Sequence, residues 1–188
     1  MNAPEHFFCS SAFWRYFSER KLLPWVLAAH SLGEHALEIG AGYGASTRFL
    51  RGRARRVTAL EYNREEILKW KARCDGDGVA AVCGDGAHLP FAAQSFSAVV
   101  AILVLHHLKS AELQDQMLSE AMRVLRPGGV LMGFEIQDSW LNRVIHKGST
   151  FTPFTSDGAY GRLAAARFAQ VGVDVRSGAF RFSAARAG

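Results

Sequence analysis

The chain has 188 residues, 49% hydrophobic and 21% charged, enough to bury one sizeable core and too few for two full domains. Its longest unbroken apolar run, Ala98 to Leu105, falls well short of the roughly 20 residues that cross a bilayer, and no basic-then-apolar leader opens the chain, so a cytoplasmic protein without a membrane span is expected. A net charge of +5 permits an anionic partner without demanding one, and three scattered cysteines (Cys9, Cys74, Cys83) predict reduced thiols rather than a disulfide framework or a metal knuckle.

The first 25 residues hold seven of the 21 aromatic side chains (Phe7, Phe8, Phe13, Trp14, Tyr16, Phe17, Trp25), which reads as an aromatic cap over residues 1–30, its helix interrupted near Pro24. Short apolar runs then alternate with helical patterns. Strands are predicted over 35–39, 56–60, 79–83, 97–104 and 129–135, and helices over 44–51, 63–74 and 111–125. Such alternation predicts an α/β protein with a doubly wound, mostly parallel sheet. The run 97–104 is apolar at nearly every position, as a central strand covered on both faces must be. After helix 111–125, Arg126-Pro127-Gly128-Gly129 is expected to stop the helix and turn tightly into the next strand. Beyond it come a loop with one short helix (138–156), a helix (158–170), and strands 171–176 and 179–184 joined around Gly178, a hairpin that makes the last strand antiparallel. The division within one domain is thus a cap, a core over 35–135, an insertion over 138–156 and a C-terminal helix and hairpin over 158–184. Residues 139–188 carry seven basic side chains against Asp157 and Asp174 and so supply the whole net charge. A nucleic-acid stripe is disfavoured, because the other basic cluster, Arg48 to Arg56, has one aromatic residue, Phe49, and no interleaved aromatic series.

Residues 37–46, LEIGAGYGAS, read as strand, glycine turn and helix start, with Gly40, Gly42 and Gly44 letting a ligand approach the main chain. With Ala45 the loop also satisfies a relaxed dinucleotide fingerprint, and Glu61, 21 residues after Gly40, falls where a ribose-binding acid belongs in both nucleotide families. Glu38 separates the two. A carboxylate two residues before the first glycine repels a diphosphate but suits a ligand carrying a sulfonium and an ammonium, such as S-adenosylmethionine.

Over residues 35–135 these features resemble the class I S-adenosylmethionine-dependent methyltransferases, in their small bacterial type 11 branch. The family's acidic-x-Gly-x-Gly-x-Gly loop matches Glu38, Gly40, Gly42 and Gly44, with Ala41 and Tyr43 between them; its acid ending the second strand matches Glu61; its Gly-Asp motif matches Gly84-Asp85-Gly86. The later landmarks match Leu89-Pro90-Phe91, Ser95-Phe96, Leu105-His106-His107-Leu108 and Arg123 to Gly129. The resemblance implies a Rossmann-like seven-stranded sheet with its last strand antiparallel. It further implies that Glu61 binds the ribose hydroxyls with Tyr62 beside the adenine, that Asp85 accepts from the adenine amino group, and that Ile102 and Leu103 border the cofactor, whose product is S-adenosylhomocysteine. Ser97 and Ala93 depart from the pattern, where the family commonly carries acidic or amide residues.

His106 and His107, at the carboxyl end of the fourth strand, are the catalytic candidates; adjacent side chains at a strand end are expected to diverge, so that one of them faces the cleft. His88 reads as cofactor-adjacent or structural. His6, His30, His35 and His146 show no metal-ligand spacing, so no metal is expected. The function expected is methyl transfer to a small-molecule acceptor, apolar or aromatic and able to carry an anionic group, with Arg143 or Lys147 as its contact and residues 5–25 and 138–156 closing over it. The alternatives are a non-catalytic S-adenosylmethionine-binding protein, an RNA-binding protein using the basic tail, or a nicotinamide-dependent oxidoreductase, the last disfavoured by Glu38 and Asp85.

Overall fold

The most apolar run of the sequence becomes β4 (Phe96–Ile102), the middle of a seven-stranded sheet in the computed structural model, which describes residues 11–28, 30–74 and 78–188. The other strands are β1 (His35–Ile39), β2 (Arg56–Glu61), β3 (Val79–Cys83), β5 (Leu125–Ile136), β6 (Ala169–Arg176) and β7 (Ala179–Ala185), in the order β3-β2-β1-β4-β5-β7-β6. The first five strands are parallel; β7 runs antiparallel to both neighbours. Ser177 and Gly178, both at positive φ (45° and 80°), make the two-residue turn between β6 and β7 that the hairpin requires.

The helices are α1 (Ala12–Phe17), α2 (Leu23–Leu27), α3 (Thr47–Arg51), α4 (Arg64–Cys74), α5 (Ala111–Val124), α6 (Trp140–Ile145) and α7 (Ser156–Ala165). Alternate side chains of the central strands point to opposite faces, which gives two apolar layers. Leu37, Ile39, Val99 and Ala101 meet Met117, Leu118, Ala121 and Val124 of α5 and Phe154, Phe180 and Phe182 on one face. Ala36, Ala98, Val100 and Met132 meet Leu22, Val26, Leu27 and Leu50 on the other. Arg123 of α5 donates to the carbonyls of Leu89 and Phe91 (3.0 and 2.8 Å) while Glu120 accepts from the Leu89 amide (2.8 Å), so two separate landmarks of the sequence form one clamp. Ser97 also finds its role here. Its hydroxyl accepts from the His35 amide (2.9 Å) and faces the Leu32 and His35 carbonyls (2.7 and 3.0 Å), pinning the start of β1 to β4.

Several expectations are corrected. The helix does not break at Pro24: a π-helical segment, Ser18–Leu22, joins α1 to α2, and Pro24 sits in the first turn of α2, where its missing N–H costs nothing. Arg126 to Gly129 make no tight turn. They are the bulged start of β5, where Leu125 already pairs with Phe96 and the register shifts before Ala98 pairs with Val130. β4 ends at Ile102, because Leu103 takes a positive φ of 56° and leads into the 3₁₀ turn Leu105–His107. α3 starts only at Thr47, since the preceding residues are spent on the glycine turn, and α7 stops at Ala165, because the chain must turn into β6.

The aromatic cap divides. Phe7 and Phe8 lie outside the described residues. Trp14, Leu22, Val26 and Leu27 pack into the layer opposite Phe154, and Trp25 stands edge-on to Phe134 (6.0 Å) with its indole N–H on Asp174 (3.0 Å), so these residues are anchored on the sheet. Among the described residues no helix is long and apolar enough to cross a membrane.

Candidate active site

The first three parallel strands bring three acids to one edge of the sheet, because Glu38, Glu61 and Asp85 each lie at or just past the carboxyl end of β1, β2 and β3. That edge is where open α/β sheets hold ligands. The loop after β1 is shaped by glycine conformations: Gly40, Gly42 and Gly44 all have positive φ (74°, 51° and 77°). A Cβ on Gly40 would collide with Val104 and one on Gly44 with the buried indole of Trp70, whereas a Cβ on Gly42 would meet nothing within 4 Å. The loop is therefore packed tightly from below and open above Gly42.

Glu61 spans from β2 to that loop. One oxygen accepts from the Gly42 amide (2.8 Å), the other from the Asn63 amide (2.9 Å). An ionised carboxylate offers about four acceptor positions, so about two remain for hydroxyls of a ligand lying over Gly42. Asp85 is arranged similarly: one oxygen takes the Ala87 amide (2.9 Å) and the other the His88 ring (3.2 Å), which in turn meets Gln116 (2.9 Å). His88 thus positions Asp85. Gly84 donates to the Glu61 carbonyl (3.0 Å), tying the ends of β2 and β3 together, and Gly86 leaves no room for a side chain against Ile39.

Glu38 lies beneath the loop, 1% exposed, and its two oxygens accept from the hydroxyls of Ser46 and Thr47 at the start of α3. Burial pushes its carboxyl up to about 7, against the opposing pull of these hydroxyls, and the Glu61 charge adds to the rise. Its nearest partners are therefore the hydroxyls that shape the loop. The remaining predicted cofactor residues sit around this centre. Ala41 is buried, Tyr43 reaches Glu66 (3.4 Å), Tyr62 is exposed beside Glu61, and Ile102 and Leu103 are half-buried at the end of β4, with the Leu103 amide on the Phe134 carbonyl (2.8 Å).

His106 and His107 do not diverge. They belong to a 3₁₀ turn rather than to β4, and their rings converge to a centroid distance of 4.1 Å. His106 is 2% exposed and its Nδ1 meets Glu135 Oε2 at 2.5 Å; the other oxygen of Glu135, which is wholly buried, accepts from the amides of Val104 and Leu105 (2.9 and 2.7 Å). Burial, then the neighbouring rings of His106 and His146, push His107 down to about 3. His146, the residue closing α6, stands 5.1 Å from His106 and 5.8 Å from His107 by ring centroids, and one ligand atom of each of the three rings lies within 4.8 Å of the others. The sequence reading missed this grouping, since about 40 residues separate the pair from His146. It also missed Glu135, whose signal was an acid inside the apolar run 130–136.

Much of the basic stretch near the C-terminus is engaged within the protein. Arg143 holds Asp138 through two contacts (2.7 and 2.6 Å), Arg162 holds Asp115 (2.6 Å), Arg176 and Arg181 share Asp174 (3.5 and 3.2 Å), and Arg186 caps the carbonyls of Met122, Arg123 and Leu125. Arg143 is thus already paired, which weakens its expected role as an acceptor contact.

Residues 37–133 match a family described as Methyltransferase domain. A demethylmenaquinone methyltransferase of Thermobifida fusca is 35% identical over 103 residues, covering 53% of this chain and 42% of that protein. A ubiquinone/menaquinone biosynthesis C-methyltransferase of Paracoccus denitrificans is 34% identical over 109 residues, 55% of this chain and 42% of that one. The chain thus spans less than half the length of these curated relatives. Among solved structures, a protein of Pyrococcus horikoshii superposes with a TM-score of 0.80 over 97% of this chain and 96% of its own, at 16% identity, a likeness of fold.

Proposed function

Because the chain belongs to the methyltransferase-domain family of class I S-adenosylmethionine-dependent enzymes, we propose that the carboxyl edge of its sheet binds S-adenosylmethionine and transfers the methyl group to a small apolar or aromatic acceptor. The observation that carries this reading is the Glu61 carboxylate fixed on the Gly42 amide beneath open space, with acceptor capacity left over for a pair of hydroxyls. Asp85, anchored by His88 one strand further out, suits an exocyclic amine, and the Glu38 carboxylate under the loop favours a cationic ligand over a diphosphate.

When bound, the cofactor supplies an activated methyl group on a sulfonium. The residues of this chain then have mainly to orient: placing two reactants in line contributes on the order of 7 to 11 kcal/mol, so an acceptor that is already nucleophilic needs no dedicated base. For a hydroxyl acceptor a base is needed, and the catalytic candidates His106 and His107 stand at this end of the sheet, the His106 ring oriented by the contact of its Nδ1 with Glu135. An aromatic acceptor agrees with the names of the relatives, two of which refer to quinone methylation.

Calorimetry with S-adenosylhomocysteine, S-adenosylmethionine, NAD and NADP tests the reading. The first two are expected to bind and the nicotinamide nucleotides are not. Glu61→Ala removes a charge-assisted contact and is expected to weaken binding by about 1.5 to 3 kcal/mol; unchanged affinity would place the ribose elsewhere.

A further inference from the structure

We propose that His106, His107 and His146 form a binding site for a divalent transition metal of the zinc class. Three features carry it. The first is convergence: one ligand atom from each ring lies within 4.8 Å of the other two. Nitrogens bound to a tetrahedral zinc at 2.0 to 2.1 Å stand about 3.4 Å apart, so the widest pair closes by no more than about 1.4 Å, within reach of small ring rotations.

The second is that every ring is already tied from behind. His106 Nδ1 meets the Glu135 carboxylate (2.5 Å), His146 Nδ1 meets the Asn142 carbonyl (2.7 Å), and His107 makes a hydrogen bond with the Thr150 backbone. A ring that donates from Nδ1 carries its basic lone pair on Nε2. Metal-binding imidazoles are characteristically held in this way, by a carboxylate or a main-chain carbonyl behind the ligand.

The third is charge. Glu135 is wholly buried, and among the described residues its ion-pair partner is His106 rather than a lysine or arginine. A divalent cation on the far side of the His106 ring supplies the positive charge such a carboxylate calls for. Imidazoles without thiolates or additional carboxylates suit zinc, cobalt and nickel better than calcium or magnesium. Three protein ligands leave one position for a water or for an oxygen of the acceptor. That use of the fourth position rests on the methyltransferase reading; the metal site does not.

The test is titration of the untagged, chelator-treated protein with Co²⁺ alone, followed by its visible d–d absorption. The expected result is a saturable band at one equivalent, abolished in His107→Ala and His146→Ala. Glu135→Gln, which removes the charge and turns an amide N–H either toward His106 Nδ1 or toward the Val104 and Leu105 amides, is expected to weaken binding by roughly 10- to 100-fold. His30→Ala, at an exposed histidine outside the cluster, is expected to leave the titration unchanged. Circular dichroism confirms that each variant is folded, and His146→Gln provides a milder replacement if the alanine variant is not. No band at one equivalent, or an unaltered band in the folded His107 and His146 variants, would overturn the proposal. S-adenosylhomocysteine binding, measured separately on the same samples, tells a failure of the metal site from a failure of the functional reading.

Discussion

Glu38→Gln separates the structural and ligand-binding consequences of the buried carboxylate beneath the glycine loop. Burial raises its carboxyl from an ordinary value of 4.5 to about 7. Between these values the folded protein keeps a proton that the unfolded chain has lost, so stability is fully present below about pH 4.5 and is lost as pH rises through about 7. A difference of this size corresponds to about 3 kcal/mol, with little allowance for solvent because the side chain is 1% exposed. Glutamine has nearly the same shape, and the Ser46 and Thr47 hydroxyls can donate to its oxygen or accept from its amide. The variant is therefore expected to gain on the wild type by up to about 3 kcal/mol between pH 4.5 and pH 8, read from urea unfolding at steps across that range. The same substitution is expected to weaken S-adenosylmethionine binding, since a cationic ligand favours the ionised carboxylate. In the wild type, that preference makes binding tighten as pH rises towards about 7 and then level off, with release of a proton detectable by calorimetry in buffers of different ionisation enthalpy. Parallel stability curves for the two proteins across the whole range would refute the reasoning, because they would mean that the carboxyl titrates at its ordinary value.

Two further perturbations probe the loop and the cap. Gly44→Ala forces a methyl group into the Trp70 indole at a φ of 77° and is expected to cost about 2 to 4 kcal/mol of stability, measured by denaturant unfolding; a neutral effect would show that Trp70 moves aside freely. Deleting residues 1–17 is expected to leave a folded chain that binds S-adenosylhomocysteine within a few fold, whereas deletion through Leu27 removes four buried side chains (Leu22, Leu23, Val26 and Leu27), each contributing about 1.5 to 3 kcal/mol, and is expected to unfold it; near-ultraviolet circular dichroism distinguishes the two outcomes.

Whatever depends on neighbours in the chain was legible from residue order. The alternation of apolar runs and helical patterns located all seven strands to within a few residues, because a strand covered on both faces, such as β4, must be apolar at successive positions. The glycine loop and Glu61 were legible for a similar reason: positive φ demands glycine, and the distance from loop to acid is set by one strand–helix–strand unit. Boundaries were misread where a local signal had two solutions. Arg126-Pro127-Gly128-Gly129 can make a turn or a bulge, and the pairing of Leu125 with Phe96 selects the bulge. Pro24 can end a helix or begin one, and the π-helical segment before it permits the second. Of the centre around His106, the sequence showed the adjacent pair His106 and His107 but neither their convergence nor their partners Glu135 and His146. Glu135 is an acid in an apolar strand until the amides of Val104 and Leu105 and the His106 ring close around it, and His146 is one histidine in an irregular stretch until the end of α6 sets it beside two other imidazoles. Sequence patterns report the side a residue faces, through periods of two and 3.6, whereas contacts between distant segments depend on how whole layers pack, and only the folded chain supplies that information.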